Sequence, residues 1–311
     1  MLAELEKEFK KAYINYEEIF SFSTVKKIAE VLFERMNELV VLEKNDEKKF
    51  IKPQKIRQEE YDSLINEIQK SEVPKKIDCK NVLITGATGQ VGSYLTNELL
   101  ETTVFILICF VWGEGIKQAN DRFWKVFEKN FNINNHGRIK VVVGDLSQKD
   151  LLLNAEGISL LKELDAVYHV AGTPSFVGKP NLEEHINYLG TKNIFDWSVS
   201  NNVKYFNYVS TIGIVGKSMP EEIKAFYETD VNLGQDTTHF IHMGSKLLAE
   251  GYIRNNESSI KTNVFRLSNV GGDYVNGVLQ GDMNKNLMYL KLLTLSKIAS
   301  YSDEFLKSEA N

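Results

Sequence analysis

A chain of 311 residues is long enough for one large α/β domain with a smaller attachment, and its 43% hydrophobic and 25% charged content excludes a disordered or fibrous class. The formal charge of -5 gives no electrostatic case for binding nucleic acid or an anionic membrane. No uncharged apolar run reaches the roughly 18 residues that a bilayer span needs, and the N-terminal MLAELEKEFKK lacks the apolar stretch of a signal peptide, so a cytoplasmic protein is expected.

In chain order, residues 1 to about 41 read as two short amphipathic helices around the segment YINYEEIFSFS. Ser23 or Thr24 is placed to cap the second, whose apolar positions Val25, Ile28, Val31, Leu32 and Met36 keep helical spacing. Residues 42–78 are rich in Lys, Glu, Gln and Asp and are broken by Pro53 and Pro74, a composition that suits a surface linker with one short helix around Glu59–Gln69. From Lys80 a βαβα pattern begins. Strands are expected at Asn81–Thr85, Val104–Val111, Ile139–Val143, Ala166–Val170, Tyr205–Ser210 and Thr262–Leu267, with helices including Leu182–Ser200 and Gly244–Arg254. The strands are short apolar runs without strict alternation, as in parallel strands covered on both faces. The expectation for residues 79–275 is therefore an α/β fold, a Rossmann-type doubly wound parallel sheet. Cys79 and Cys109 lie in or beside strands with no metal-ligand spacing around them, and read as buried free thiols.

The strongest local signal is NVLITGATGQVGSYLTNELL, where an apolar strand ending at Thr85 runs into Gly86-Ala87-Thr88-Gly89-Gln90-Val91-Gly92 and then into an amphipathic helix. Gly86 suits a tight turn, Gly89 a close approach of backbone to a diphosphate, and Gly92 the packing of helix on strand. The helix start then offers free N–H groups and a positive dipole end to the anion. Dinucleotide identity is normally read at the end of the second strand, by an acid for NAD(H) or an Arg for NADP(H). Here that end is Phe110-Val111-Trp112-Gly113-Glu114. Trp112 either stacks on adenine or simply caps the strand edge; Glu114 is a candidate for the ribose diol.

Together these segments resemble a known family. NVLITGATGQVGSYL, VVVGDLS, AVYHVAG, NYLGTKNIFDWS, YFNYVSTIGIVG, GSKLLAEGYIR and VFRLSNVGGDYVNGVLQGDMNKN look like the thioester reductase domain that terminates nonribosomal peptide synthetases and carboxylic acid reductases, within the extended short-chain dehydrogenases. The resemblance implies NADPH-dependent reduction of a carrier-bound acyl or peptidyl thioester to an aldehyde, sometimes onward to the alcohol. LEKEFKKAYINYEEIFSFSTVKKIAEVL is similar to the second half of a peptidyl carrier domain. Its attachment serine would precede Met1, and Ser21 and Ser23 lack the required context, so no phosphopantetheine is expected on this chain. The implied partner is an acyl or peptidyl carrier protein. Oligomeric state is not readable.

The family chemistry uses a Thr or Ser, a Tyr, and a Lys four residues after that Tyr. Thr211 and Lys246 fall on the outer two positions, but position 242 is His. His242 reads either as a shorter N–H donor in place of the phenol or as a remnant. The resemblance further places Asp145 and Leu146 beside adenine, Val170, Ala171 and Gly172 along the ribose and diphosphate, and Ser268 and Asn269 over the nicotinamide. The family usually carries Asn where Val170 stands. His169 matches a packing position at a strand end, and His185 a helix surface. Residues 276–311 read as the start of a truncated substrate subdomain, so the chain is expected to be a fragment and a poor catalyst. Two other readings stay open: a degenerate dinucleotide-binding module without catalysis, and a nucleotide-sugar epimerase or dehydratase on the same fold. No GxSxG, HExxH or CxxC motif supports hydrolase or metal chemistry.

Overall fold

A computed structural model of the chain describes residues 54–70, 79–131, 136–173, 184–237, 241–272 and 294. The carrier-like segment expected over 1 to about 41 lies outside them, as does the segment expected over 276–311 apart from residue 294. In chain order the elements are α1 (Gln54–Lys70), β1 (Asn81–Thr85), α2 (Gln90–Thr102), β2 (Ile106–Val111), α3 (Ile116–Asn130), β3 (Ile139–Val143), α4 (Ala155–Leu160), β4 (Ala166–His169), α5 (Gly190–Ser200), β5 (Tyr205–Thr211), α6 (Ile241–Asn255) and β6 (Lys261–Leu267). A π-helical turn, Glu184–Leu189, leads into α5, and a 3₁₀ turn, Ile212–Val215, follows β5. The described residues form two compact units, one of 79–131, 136–171, 196–210 and 260–272, the other of 54–70, 172–173, 184–195, 211–237 and 241–259.

The first unit holds the sheet, in the order β3-β2-β1-β4-β5-β6. The pairings β1–β2, β1–β4, β2–β3 and β4–β5 are all parallel. This is the expected Rossmann-type arrangement, and its order reverses between β1 and β4, the point where such sheets open toward a ligand. One core lies on the α3 side. Val82 and Ile84 of β1, Leu107, Cys109 and Val111 of β2, and Ile139 and Val141 of β3 alternate toward it. Phe123 and Phe127, one turn apart on α3, stack at 5.0 Å and fill the same core. Cys109 is buried and Cys79 half-buried, both as free thiols.

The amino ends of the strands are tied by Asp165. Its carboxylate accepts the N–H groups of Lys80 (2.8 Å) and Asn81 (3.1 Å) and the Lys204 ammonium (2.7 Å). Burial acts to raise its pKa, but the Lys204 hydrogen bond, the two backbone N–H groups and the Lys204 charge outweigh it, and the carboxyl sits below its ordinary value. A depressed carboxyl contributes stability above the unfolded pKa and loses it as pH falls through the folded one. Asp165→Asn is expected to lower stability at pH 7 by about 2 kcal/mol, chiefly through the backbone bonds because Lys204 is exposed. In chemical denaturation, that deficit should narrow as the pH falls below about 4.

In the second unit, the linker helix expected around Glu59–Gln69 is present but runs from Gln54 to Lys70, and it is not simply a surface element. Arg57 is 1% exposed. It donates to Asp230 (2.5 Å) and to the Ala225 carbonyl (3.0 Å), and its guanidinium lies 5.5 Å from the Tyr227 ring, on which Tyr61 stacks. The high local charge hid this anchor, because its partner lies far along the sequence. The segment from Gly216 to Asp236 closes on itself through paired backbone bonds, Lys217 N to Asp236 O and Asp236 N to Ser218 O, both 2.8 Å. Buried Gln235 donates to the Ile214 and Val231 carbonyls.

Candidate functional site

In the first unit, the carboxyl end of β1 turns directly into α2 through the glycine loop. Gly86 has φ +71°, and a Cβ there would lie 2.6 Å from Ala171 N, so both conformation and space demand glycine. Gly89 N donates to Gly86 O at 2.9 Å and closes the turn. A Cβ on Gly92 would collide with Gly86 O, which explains how α2 approaches the strand so closely. Gly89 is the N-cap of α2 and offers no side-chain cap. The first N–H groups of a 13-residue helix are thus left for a ligand. Thr88, Gln90 and Val91 are half-buried around this turn.

Thr85, at the end of β1, is fully buried and receives the N–H groups of Val170 (3.2 Å) and Ala171 (3.1 Å) on its hydroxyl. The end of β4 is thereby held against the glycine loop. Gln90 donates to Gly271 O at 2.5 Å and connects the start of α2 with the loop after β6, where Ser268 and Asn269 are exposed. After β3, the Asp145 carboxylate accepts Ser147 N at 2.8 Å and Asp145 N donates to Leu151 O at 2.9 Å, leaving Asp145 and Leu146 half-buried. Trp112, after β2, is 57% exposed. Arg122 of α3 donates to the Trp112 carbonyl at 3.3 Å, with its guanidinium 6.0 Å from the indole ring. The end of β2 itself carries no Arg; α3 supplies the cation ten residues later. Glu114 N donates to Gln118 Oε1 at 2.7 Å.

The second unit gathers Gly172, Asn187, Thr211, His242 and Lys246. Thr211 caps the 3₁₀ turn, and its Oγ1 accepts Gly213 N at 3.1 Å. With that lone pair engaged, the hydroxyl hydrogen remains for an acceptor outside the turn. The turn packs on α6: a Cβ on Gly213 would meet the Met243 thioether at 2.8–3.1 Å, and Met243 follows His242. His242 and Lys246 are one turn apart on α6. A Cβ on Gly172 would lie 3.0 Å from Asn187 Oδ1 and 3.2 Å from Lys246 Nζ, so the amide and the ammonium converge on this glycine.

Asn187 opens the segment NYLGTKNIFDWS, but the sequence reading gave it no role of its own. It is fully buried, accepts Thr173 N (2.9 Å), and donates to Thr173 O (3.2 Å) and to Ser245 Oγ (3.1 Å). Ser245 in turn donates to His242 O at 3.0 Å. The signal available for it was its place at the head of a segment that carries the family resemblance. Burial lowers the pKa of Lys246 to about 8 against a smaller raising effect of Glu250, and burial followed by the Lys246 charge lowers that of His242. At neutral pH the imidazole is therefore uncharged with one N–H to give, beside a protonated ammonium. His169 is fully buried between β1 and β5; the His185 side chain lies outside the described residues.

Among the described residues no His, Cys, Asp and Glu cluster could hold a metal ion, and no helix is long and apolar enough to cross a membrane.

The family model NAD_binding_4, Male sterility protein, matches residues 84–305. A linear gramicidin synthase from Brevibacillus parabrevis is 28% identical over 204 residues, which make up 64% of this chain and 4% of that protein. A reductase (R) domain of a nonribosomal peptide synthetase from Mycobacterium tuberculosis matches with a TM-score of 0.56 at 26% identity, covering 71% of this chain and 55% of that one. A thiolation-reductase di-domain from an archaeal nonribosomal peptide synthetase shares the fold, with a TM-score of 0.65 at 20% identity over 75% of this chain and 62% of that one. The chain thus spans less than two thirds of each of these relatives.

Proposed function

The chain belongs to the NAD-binding male sterility protein family, and from that premise we propose that it uses NADP(H) to reduce an acyl or peptidyl thioester carried on a phosphopantetheine arm to an aldehyde. The observation that carries this reading is the uncapped start of α2 behind Gly86, Gly89 and Gly92, a cradle that added Cβ atoms would fill. Its N–H groups fit a diphosphate, Val170 and Ala171 border the loop, and Asp145, Leu146 and Trp112 are assigned to the adenosine in this reading. The likeness to the mycobacterial reductase domain and the gramicidin synthase supports the thioester as substrate and a carrier protein as partner.

When bound, the dinucleotide supplies a hydride. The chain's own residues do the rest. Thr211 and the neutral His242 each donate a hydrogen bond to the thioester oxygen and stabilise the negative charge that develops there as the carbonyl carbon becomes tetrahedral. Lys246 holds the nicotinamide ribose beside Gly172, and its charge adds to the larger effect of burial in keeping His242 neutral. The C=O bond then re-forms as the carbon–sulfur bond breaks, the sulfur leaves with the bonding pair and takes a proton from solvent to become the carrier thiol, and the aldehyde remains.

Quenching of tryptophan fluorescence by NADPH and NADH tests the first half of this proposal. Binding of neither dinucleotide at millimolar concentration would overturn it. Arg122 is proposed to read the 2′-phosphate, so Arg122→Glu should weaken NADPH about thirtyfold and leave NADH within about twofold, the loss of one charge-assisted contact plus repulsion.

His242, where the resemblance puts Tyr, favours a second reading: a dinucleotide-binding module without turnover. Turnover of an acyl-pantetheine thioester separates the two. If His242 is the donor, His242→Phe costs about a hundredfold and His242→Tyr is at least as fast as the wild type. If wild type and His242→Phe turn over equally slowly, the module is the better description.

A further inference from the structure

We propose, resting on the dinucleotide reading above, that His169 is a positioning residue of the phosphate cradle: as the neutral Nε2–H tautomer it accepts the Thr85 hydroxyl hydrogen, and so fixes the oxygen that holds Val170 and Ala171 against Gly86. Thr85 and His169 are register partners on β1 and β4, and His169 and Tyr208 are register partners on β4 and β5, so the three side chains lie in a row on one face of the sheet. The face is closed to solvent: Thr85, His169 and Tyr208 are all 0% exposed.

A hydroxyl has one hydrogen and two lone pairs. At Thr85 the lone pairs are taken by Val170 N–H at 3.2 Å and Ala171 N–H at 3.1 Å. Its contact with His169 Nδ1, at 2.7 Å, is left for the hydrogen. Nδ1 therefore accepts, and the ring proton sits on Nε2. A proton on Nδ1 would bring a third donor to an oxygen with two lone pairs and would leave the hydroxyl hydrogen facing it.

The ring cannot easily turn away. It stacks on Tyr208 at 5.7 Å with 15° between planes, and Phe206 lies at 6.1 Å. The consequence reaches the cradle because the backbones of Gly86 and Ala171 are so close that no Cβ fits between them. The Thr85 hydroxyl is the side-chain group that binds one to the other. Without an acceptor for its hydrogen, the hydroxyl would rotate to find one elsewhere, its lone pairs would turn away from the Val170 and Ala171 N–H groups, and the two backbone bonds would loosen.

The test uses the full chain, isotopically labelled, with ring nitrogen shifts of His169 and amide exchange of Val170 and Ala171 as readouts that need no dinucleotide. An acceptor-type Nδ1 is expected. NADPH affinity, from tryptophan fluorescence, should fall about tenfold in His169→Leu and in the nearly isosteric Thr85→Val, with faster exchange at residues 170 and 171. His169→Asn, which sets an amide oxygen near the Nδ1 position, should recover affinity to within about threefold of the wild type. A proton on Nδ1 overturns the inference. So does a folded His169→Leu, or a folded Thr85→Val if the former does not fold, that binds NADPH like the wild type. If the wild type binds neither dinucleotide, the functional reading falls and the role built on it falls too, whichever nitrogen is protonated.

Discussion

Lys246→Met is expected to reduce turnover of an acyl-pantetheine thioester by about a thousandfold while making the folded protein more stable at pH 7. Both effects have one cause. Lys246 is buried on α6, and burial holds its pKa near 8, well below the usual 10.5. Below pH 8 the folded protein carries a cation in a poorly solvated place, which opposes folding. Methionine removes that cost and keeps most of the chain's bulk. The pH dependence has a definite sign. Between about 8 and 10.5 the unfolded lysine still holds the proton that the folded one has released, so this group's contribution to stability rises with pH. The role proposed for Lys246 needs the charged form, so the wild-type rate is expected to fall through that same window. Denaturation and rate profiles of wild type and Lys246→Met, recorded side by side, check both. A variant that is less stable at pH 7 would mean that the attraction between Glu250 and Lys246 outweighs the cost of burying the charge.

Gly86→Ala is expected to weaken dinucleotide binding by a hundredfold or more, on the order of 3 kcal/mol. At φ +71° a Cβ adds left-handed strain of about 1–2 kcal/mol. The new atom would also lie 2.6 Å from Ala171 N, 2.8 Å from Ala171 Cα and 2.9 Å from Val170 C. All three are backbone atoms, so relief requires moving the end of β4 away from β1, and the diphosphate cradle opens. A titration with NADPH measures the loss. Gly251→Ala is the contrasting case. It lies inside α6 with nothing within 4 Å of a new Cβ, and should raise stability by about 0.5–1 kcal/mol through helix propensity alone.

Much of the fold was readable from the residues because the strands are apolar runs with sharp ends. β1 and β3 begin and end where the pattern placed them. β2 starts two residues later than Val104, which is 80% exposed: a valine's apolar character alone does not show whether it precedes a strand or belongs to it. α6 begins at Ile241 rather than Gly244, since a glycine inside a helix looks like its boundary. The π-helical turn before α5 left no trace in the periodicity. At the candidate site, the glycine loop was visible because its function needs particular backbone geometry within a few residues. Arg122, Asn187 and the Thr85–His169 bond were not visible, because each depends on a partner in another element: the Trp112 carbonyl, Thr173 and Ser245, and the end of β4. Arg57 is the extreme case, buried against Asp230 from within a stretch whose composition suggested only surface.

The strand order has a bearing on how the chain is made. β1 emerges from the ribosome first and takes the middle of the sheet, β2 and β3 extend it on one flank, and β4, β5 and β6 extend it on the other. Each later strand among the described residues therefore meets a neighbour already synthesised. Vectorial synthesis can thus enlarge the sheet outward from its centre, with no gap held open among the described strands for one still to be made.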